Sequence, residues 1–172
     1  MATVKRVPGP AAAPLKAALA QLDKVEGRVG WFSNAKYPDN GPPVAYVAAI
    51  QEHGSPENNI PPRLGMRSTA RDNQGKWAAL SEGLARQVVA GKTTANAMMD
   101  LLGQKAAGDI RKHITGPITP PLKPATVKAR LRRYAPGSIG KKVISVTVAH
   151  PLTDTKHLLN TLTNTVEPSG GQ

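Results

Sequence analysis

The chain has 172 residues, with 23 Lys and Arg against 11 Asp and Glu and no cysteine, so disulfide scaffolds, thiol catalysis and cysteine zinc sites are excluded. Its length favours a single domain able to bury a core, and with aromatic residues at 3% that core is aliphatic and modest. Sixteen Gly and sixteen Pro exceed ordinary usage and point to long arms and loops around a small body.

Residues 1–10 read as an N-terminal arm closed by Pro8-Gly9-Pro10, and 11–167 as an α+β body. No apolar run approaches the ~18 residues that span a bilayer. The basic N-terminus lacks an uninterrupted apolar stretch behind it, which argues against a secretory leader and for a soluble protein made inside the cell. Leu15, Ala18, Leu19 and Leu22 have helical spacing, predicting a helix over 12–22 with Pro14 in its first turn. Residues 25–32 form a strand-like run, and 37–43 (YPDNGPP) a turn or loop. The apolar run 44–50 (VAYVAAI) leans toward a strand paired with 25–32. Its alanines keep a helix through Glu52 as the alternative. An irregular loop covers 54–62. Trp77, Leu80, Leu84 and Val88 then recur at steps of three and four up to Gly91, and a second periodic run follows Thr93 and Thr94. Together they predict a helical hairpin over 71–90 and 94–114.

Four prolines within 115–124 break the pattern, after which Thr126 caps a short predicted helix over 127–134. A turn at 135–138, a strand at 142–150 (KVISVTVAH), a turn at 151–155, a helical turn at 156–161 and a last strand at 162–167 follow, with 168–172 as a flexible tail. The expected fold is therefore α+β: a small antiparallel sheet packed on a helical hairpin, with extended Pro/Gly-rich arms and loops.

Charge is concentrated. Between Asp109 and Asp154 there is no acidic residue, while Arg111, Lys112, Lys123, Lys128, Arg130, Arg132, Arg133, Lys141 and Lys142 are all basic. A block of that kind in 110–153 repels itself unless something anionic lies near. It is a solvated basic loop, a segment that docks on an acidic protein, or a surface toward nucleic-acid phosphates. With Tyr134 its one aromatic, base stacking and sequence readout are not expected. Leu131 and Tyr134 tilt 130–133 toward a protein partner, and Lys141 and Lys142 tilt toward DNA.

Catalytic patterns are not found. His53, His113, His150 and His157 have no metal-ligand spacing, so neither metal nor cofactor is expected. Glu52-His53 are adjacent, and side chains at that spacing point apart on a strand, which favours a structural role. Gly91-Lys92-Thr93 lacks the upstream glycine of a phosphate loop, Arg86 standing there. Nothing supports an enzyme.

The order of three motifs is more informative. Ala45 to Ser55 (AYVAAIQEHGS) leads into Ile60 to Arg67 (IPPRLGMR), Pro121 to Arg130 reads PLKPATVKAR, and Pro151 to Leu162 reads PLTDTKHLLNTL. These resemble, in turn, the A-x-x-Q-E-[FHY]-G … I-P-x-R-P-F-[LM]-R, P-L-x-x-x-T-x-x-x-[KR] and P-L-x-D-T-G-x-L-x-x-S-[IL] signatures of head–tail joining proteins of tailed bacteriophages, the tail-completion or neck proteins of "virion morphogenesis" type. The resemblance covers about 120 residues. Leu64-Gly65 departs from the family's Pro-Phe, and Lys156 from its Gly.

The resemblance implies a non-enzymatic structural protein of the virion neck, assembled in the host cytoplasm as a homo-oligomeric ring, hexamer or dodecamer. Its neighbours would be a portal-adaptor or stopper ring and a tail terminator or tail tube, with double-stranded DNA in the channel and no membrane. Glu52, Ile60, Pro61, Pro62, Arg63 and Arg67 are then candidate subunit-interface residues, Arg63 clamping a carboxylate or backbone carbonyl. Lys123, Lys128, Arg130, Arg132, Arg133, Lys141 and Lys142 are candidates for the channel or a partner. The alternative function is a small basic protein that binds DNA without sequence preference.

Overall fold

The computed structural model describes Gly9, residues 12–134 and residues 149–170. Along the chain these form α1 (Ala12–Leu22), β1 (Val25–Gly30), α2 (Val44–His53), a 3-10 turn (Pro56–Asn58), α3 (Met66–Val89), α4 (Ala95–Thr115), α5 (Pro124–Tyr134), α6 (His157–Asn160) and β2 (Thr163–Pro168). Among the described residues, six helices and a two-stranded antiparallel sheet make a small, mainly helical α+β fold, the class expected from the sequence. The turn and strand predicted at 135–138 and 142–150 lie outside the described residues apart from 149 and 150, as do most of the N-terminal arm, Lys141, Lys142 and the last two residues.

Contacts divide the chain into two compact units. One comprises Met1–Val29, Gln74–Ala106 and Asn164–Gln172, the other Gly30–Asn73 and Ala107–Thr163. In the first, the helical periodicity becomes packing. Ala18 of α1, Leu84 and Val88 of α3 and Met98 of α4 form a buried cluster, with Leu22, Leu80, Ala85 and Val89 against it. Leu15 and Leu19, which share the predicted stripe, are instead about half exposed, at 47% and 52%.

The α3–α4 turn is set by local chemistry. Gly91 adopts φ +68°, its N–H donates to Val88 O, and the Lys92 N–H reaches back to Gln87 O at 2.9 Å, the paired bonds of a Schellman cap. Thr94 Oγ1 then accepts the Ala97 N–H at 3.2 Å and opens α4.

The sheet rests on α4. Asn164 of β2 donates to Asp100 Oδ1 at 2.7 Å, and Gly27 of β1 sits over Met99. Arg28 pairs with Glu26 on its own strand and with Glu167 across the sheet, in exposed contacts that contribute little individually.

Three expectations are corrected. Residues 44–50 are not a strand: Val44–His53 is helical, and β1 pairs with β2 instead. The Val-Ala-Tyr-Val opening suggested β structure, but Pro43 precedes the helix and the alanines that follow favour it. Val44 and Ala48, four apart, are its buried positions. Next, α3 begins at Met66 rather than Arg71, because its N-terminus is capped from a distance. Finally, α5 begins at Pro124, so Thr126 lies inside the helix and does not cap it; the first helical turn tolerates a proline. The loop at 54–62 is also more regular than expected. Ser55 and Ile60 exchange two backbone hydrogen bonds, of 2.7 and 3.0 Å, around the 3-10 turn.

The close approach of β2 to α4 makes a testable contrast between two helix glycines. A Cβ on Gly103 would stand 2.9 Å from Asn164 Cβ, whereas one on Gly83 meets nothing within 4 Å. Helix propensity alone favours alanine at both by about 1 kcal/mol. Urea unfolding should show Gly83→Ala stabilised by about 0.5–1 kcal/mol and Gly103→Ala destabilised despite the same propensity gain.

Candidate functional site

The second unit brings the three sequence motifs together. It buries Val44, Leu64, Ile114 and Leu162 completely and anchors Trp31, whose indole N–H donates to Leu158 O at 2.7 Å. Arg111 of α4 donates to Leu162 O, holding the chain just before β2.

The first motif ends α2 at Glu52, whose side chain reaches the start of α3. Its carboxylate accepts the Met66 N–H at 2.8 Å, the Arg67 N–H at 3.1 Å and the Arg67 Nε–H at 3.0 Å. The four leading N–H groups of a helix have no partner within it, and α3 has no acidic residue in its first turn. Glu52 supplies the missing negative charge to the positive end of the helix dipole. Burial pushes the Glu52 carboxyl up. The Arg67 N–H, the Arg67 guanidinium and the Met66 N–H outweigh it and leave the group below the ordinary carboxylate value.

The structure also shows why Leu64-Gly65 stands where the signature that this segment resembles has Pro-Phe. Gly65 has φ +69°, and a Cβ there would overlap the His113 ring, so a phenylalanine at this position would collide with α4. The buried apolar anchor is Leu64, wholly inaccessible. The backbone N–H groups of Arg63 and Leu64 both donate to Gln51 O, so the strip after Pro61-Pro62 lies along α2 of its own chain.

Arg63 does hold backbone carbonyls, and they belong to the same chain. Nε donates to Pro120 O at 2.8 Å and Nη2 to Pro121 O at 3.1 Å. Pro121 opens the second motif, whose last residue, Arg130, carries the connection onward. Arg130 Nη1 donates to His150 O at 2.8 Å, and its Nε lies 3.5 Å from Asp154 Oδ1 in the third motif. Arg133 approaches the other Asp154 oxygen at 3.6 Å. The third motif turns through two non-glycine residues in the left-handed region, Leu152 at φ +65° and Lys156 at φ +57°. His157 Nε2 lies 2.9 Å from Lys36 O, and its ring packs on Tyr37 at 4.7 Å between centroids.

Between these segments is a cleft of about 340 Å³ with Tyr37, Arg63, Arg130 and Asp154 on its walls, beside Val47, Leu122 and Leu158. Burial and the nearby Arg130 guanidinium hold Arg63 below its ordinary value, while burial and the Asp154 charge push the Tyr37 phenol up. The cleft thus sets the phenol and guanidinium donors beside the Asp154 carboxylate.

The basic candidates divide. Arg130 and Arg133 reach Asp154, with Arg130 only 12% exposed at its side chain; Lys123, Lys128 and Arg132 are exposed. Among the interface candidates, Glu52, Arg63 and Arg67 make the intrachain bonds described above, and Ile60 pairs with Ser55. The Arg130–Asp154 pair was not foreseen. Its only signal was that Asp154 is the first carboxylate after the basic block. Among the described residues no group of three or more His, Cys, Asp or Glu could hold a metal ion, and no helix is long and apolar enough to cross a membrane. No protein-family model, curated protein or solved structure matches the chain.

Glu52 gives a pH signature. Because its folded value lies below the unfolded one, its contribution is present above the ordinary carboxylate value of about 4.3 and is lost as pH falls through the folded value. Glu52→Gln is expected to cost about 1–3 kcal/mol at pH 7. In urea titrations the gap between variant and parent should close as pH drops below about 4, and a gap of constant size would contradict the charged cap.

Proposed function

We propose that the chain is a non-enzymatic structural subunit of a tailed-phage neck, joining the DNA-filled head to the tail. The observation that carries this reading is that the signature residues of three separate motifs meet one another. Arg63 of the first motif bonds the Pro121 carbonyl of the second, and Arg130 of the second pairs with Asp154 of the third. Short motifs that matched by chance would have no reason to converge. Further support comes from Lys156, which stands where the family pattern has glycine and adopts the left-handed conformation that a glycine takes without penalty.

In this reading the unit acts as a homo-oligomeric ring, hexameric or dodecameric, between a portal-adaptor or stopper ring and the tail terminator or tail tube. Exposed Lys123, Lys128 and Arg132 are available to a partner surface or to DNA in the channel. Phosphate contact alone would bind DNA without regard to sequence and weaken steeply with salt.

Disrupting the coding sequence in the phage should yield DNA-filled heads and separate, finished tails in negative-stain micrographs, with joining restored by the protein supplied in trans. Infectious, complete virions from the disrupted phage would overturn the assignment.

A further inference from the structure

The first helix is almost wholly apolar and mostly unburied. Lys16 and Gln21 are its only polar side chains, yet Ala18 alone among its residues is buried. A helix apolar on every side is ordinarily enclosed on every side. Here α1 is held against α3 and α4 through Ala18 and Leu22. Leu15 and Leu19, one helical turn apart, are left as a half-exposed ridge.

The same unit carries a hole of matching chemistry and size. Between β1, α3 and α4 lies a pocket of about 170 Å³, walled by Val29, Trp77, Met99, Leu102 and Ala106. Its volume is close to the ~150 Å³ that opens when one leucine side chain is cut from a packed core. The flexible thioether of Met99 lets the wall adjust to what enters. No described residue of α1 lines the pocket, so the ridge does not fill it within one chain. A leucine ridge and a leucine-sized apolar hole on one unit are complementary between copies. Such a contact runs head to tail, and it closes into a ring when the rotation between copies permits.

We propose that the Leu15–Leu19 ridge of one copy of this chain packs into the pocket at Val29, Trp77 and Met99 of the next copy. The proposal rests on the ring reading given above and names the surface that joins its subunits. A ridge of two leucines is small beside the ~800 Å² that each partner buries in a standard interface. An isolated pair of subunits is therefore weakly held, and ring closure adds the rest.

The chain has no cysteine, so single-cysteine variants report the contact directly. Full-length Leu19→Cys and Val29→Cys, one of them tagged to differ in mass, are mixed at up to about 1 mM, where a weak contact is populated, and oxidised. The mixed disulfide between positions 19 and 29 should be the main product. A main product joining 19 to 19, which two-fold pairing of α1 with itself would give, overturns the proposal, as does the absence of cross-links. Trp77 lines the pocket while Trp31 is buried and bonded to Leu158 O. Tryptophan emission should therefore move to shorter wavelength as concentration rises. Leu15→Lys with Leu19→Lys should weaken that association at least about tenfold, and thermal unfolding establishes that the variant is folded. Tyr46→Lys, which changes an exposed residue of the other unit, should leave it as in the parent, and equal loss in both variants overturns the proposal. Supplied to the disrupted phage, the double lysine variant should fail to restore joining. Restoration would overturn this surface and leave the neck assignment standing, whereas cross-linking reads the contact whether or not that assignment holds.

Discussion

The second unit depends on one side chain that satisfies two carbonyls. Pro120 and Pro121 lack the N–H groups through which a strand could pair, yet their carbonyls still need donors. The Arg63 guanidinium, a planar fork of several N–H groups, meets both. Because the Arg63 N–H also binds Gln51 O, one residue ties α2 to the proline-rich segment that leads into α5. Arg130 on α5 then reaches the chain at His150 and Asp154. Charged side chains thereby join segments of a unit whose apolar core is built on Val44, Leu64, Ile114 and Leu162.

This arrangement has a consequence for charge. Cations drawn inward to organise the backbone are not neutralised when their partners are carbonyls, which carry only partial charge. Arg63 is such a case, and it lines one cleft with Arg130 and the Asp154 carboxylate. Lys128 and Arg132, four residues apart on α5, are exposed.

How far the sequence reveals this varies with the range of the interaction. Where a helix is fixed by its own periodicity and ends, as in α1 and the Gly91–Thr94 turn, the elements were legible to within a residue or two. The N-terminus of α3 was not, since residues 67–71 have neither an apolar stripe nor an acidic first turn and the cap comes from Glu52 on another helix. For the same reason the chemistry of Arg63 was legible while its partner was not. An arginine after two prolines points to a clamp on a carboxylate or a backbone carbonyl of a neighbour, and only the fold shows that it holds two carbonyls of its own chain. The Leu64-Gly65 departure is explained only by His113, a residue of α4 far along the chain.

The central claim is that the motif residues are engaged in joining segments of their own chain, and Arg63 tests it most directly. In urea unfolding of the isolated protein, Arg63→Gln should lose about 1 kcal/mol, because two charge-assisted bonds to solvent-facing proline carbonyls give way to water. Stability within about 0.5 kcal/mol of the parent, the usual range for surface substitutions, would contradict the account and mean that Arg63 is held out for a neighbouring molecule.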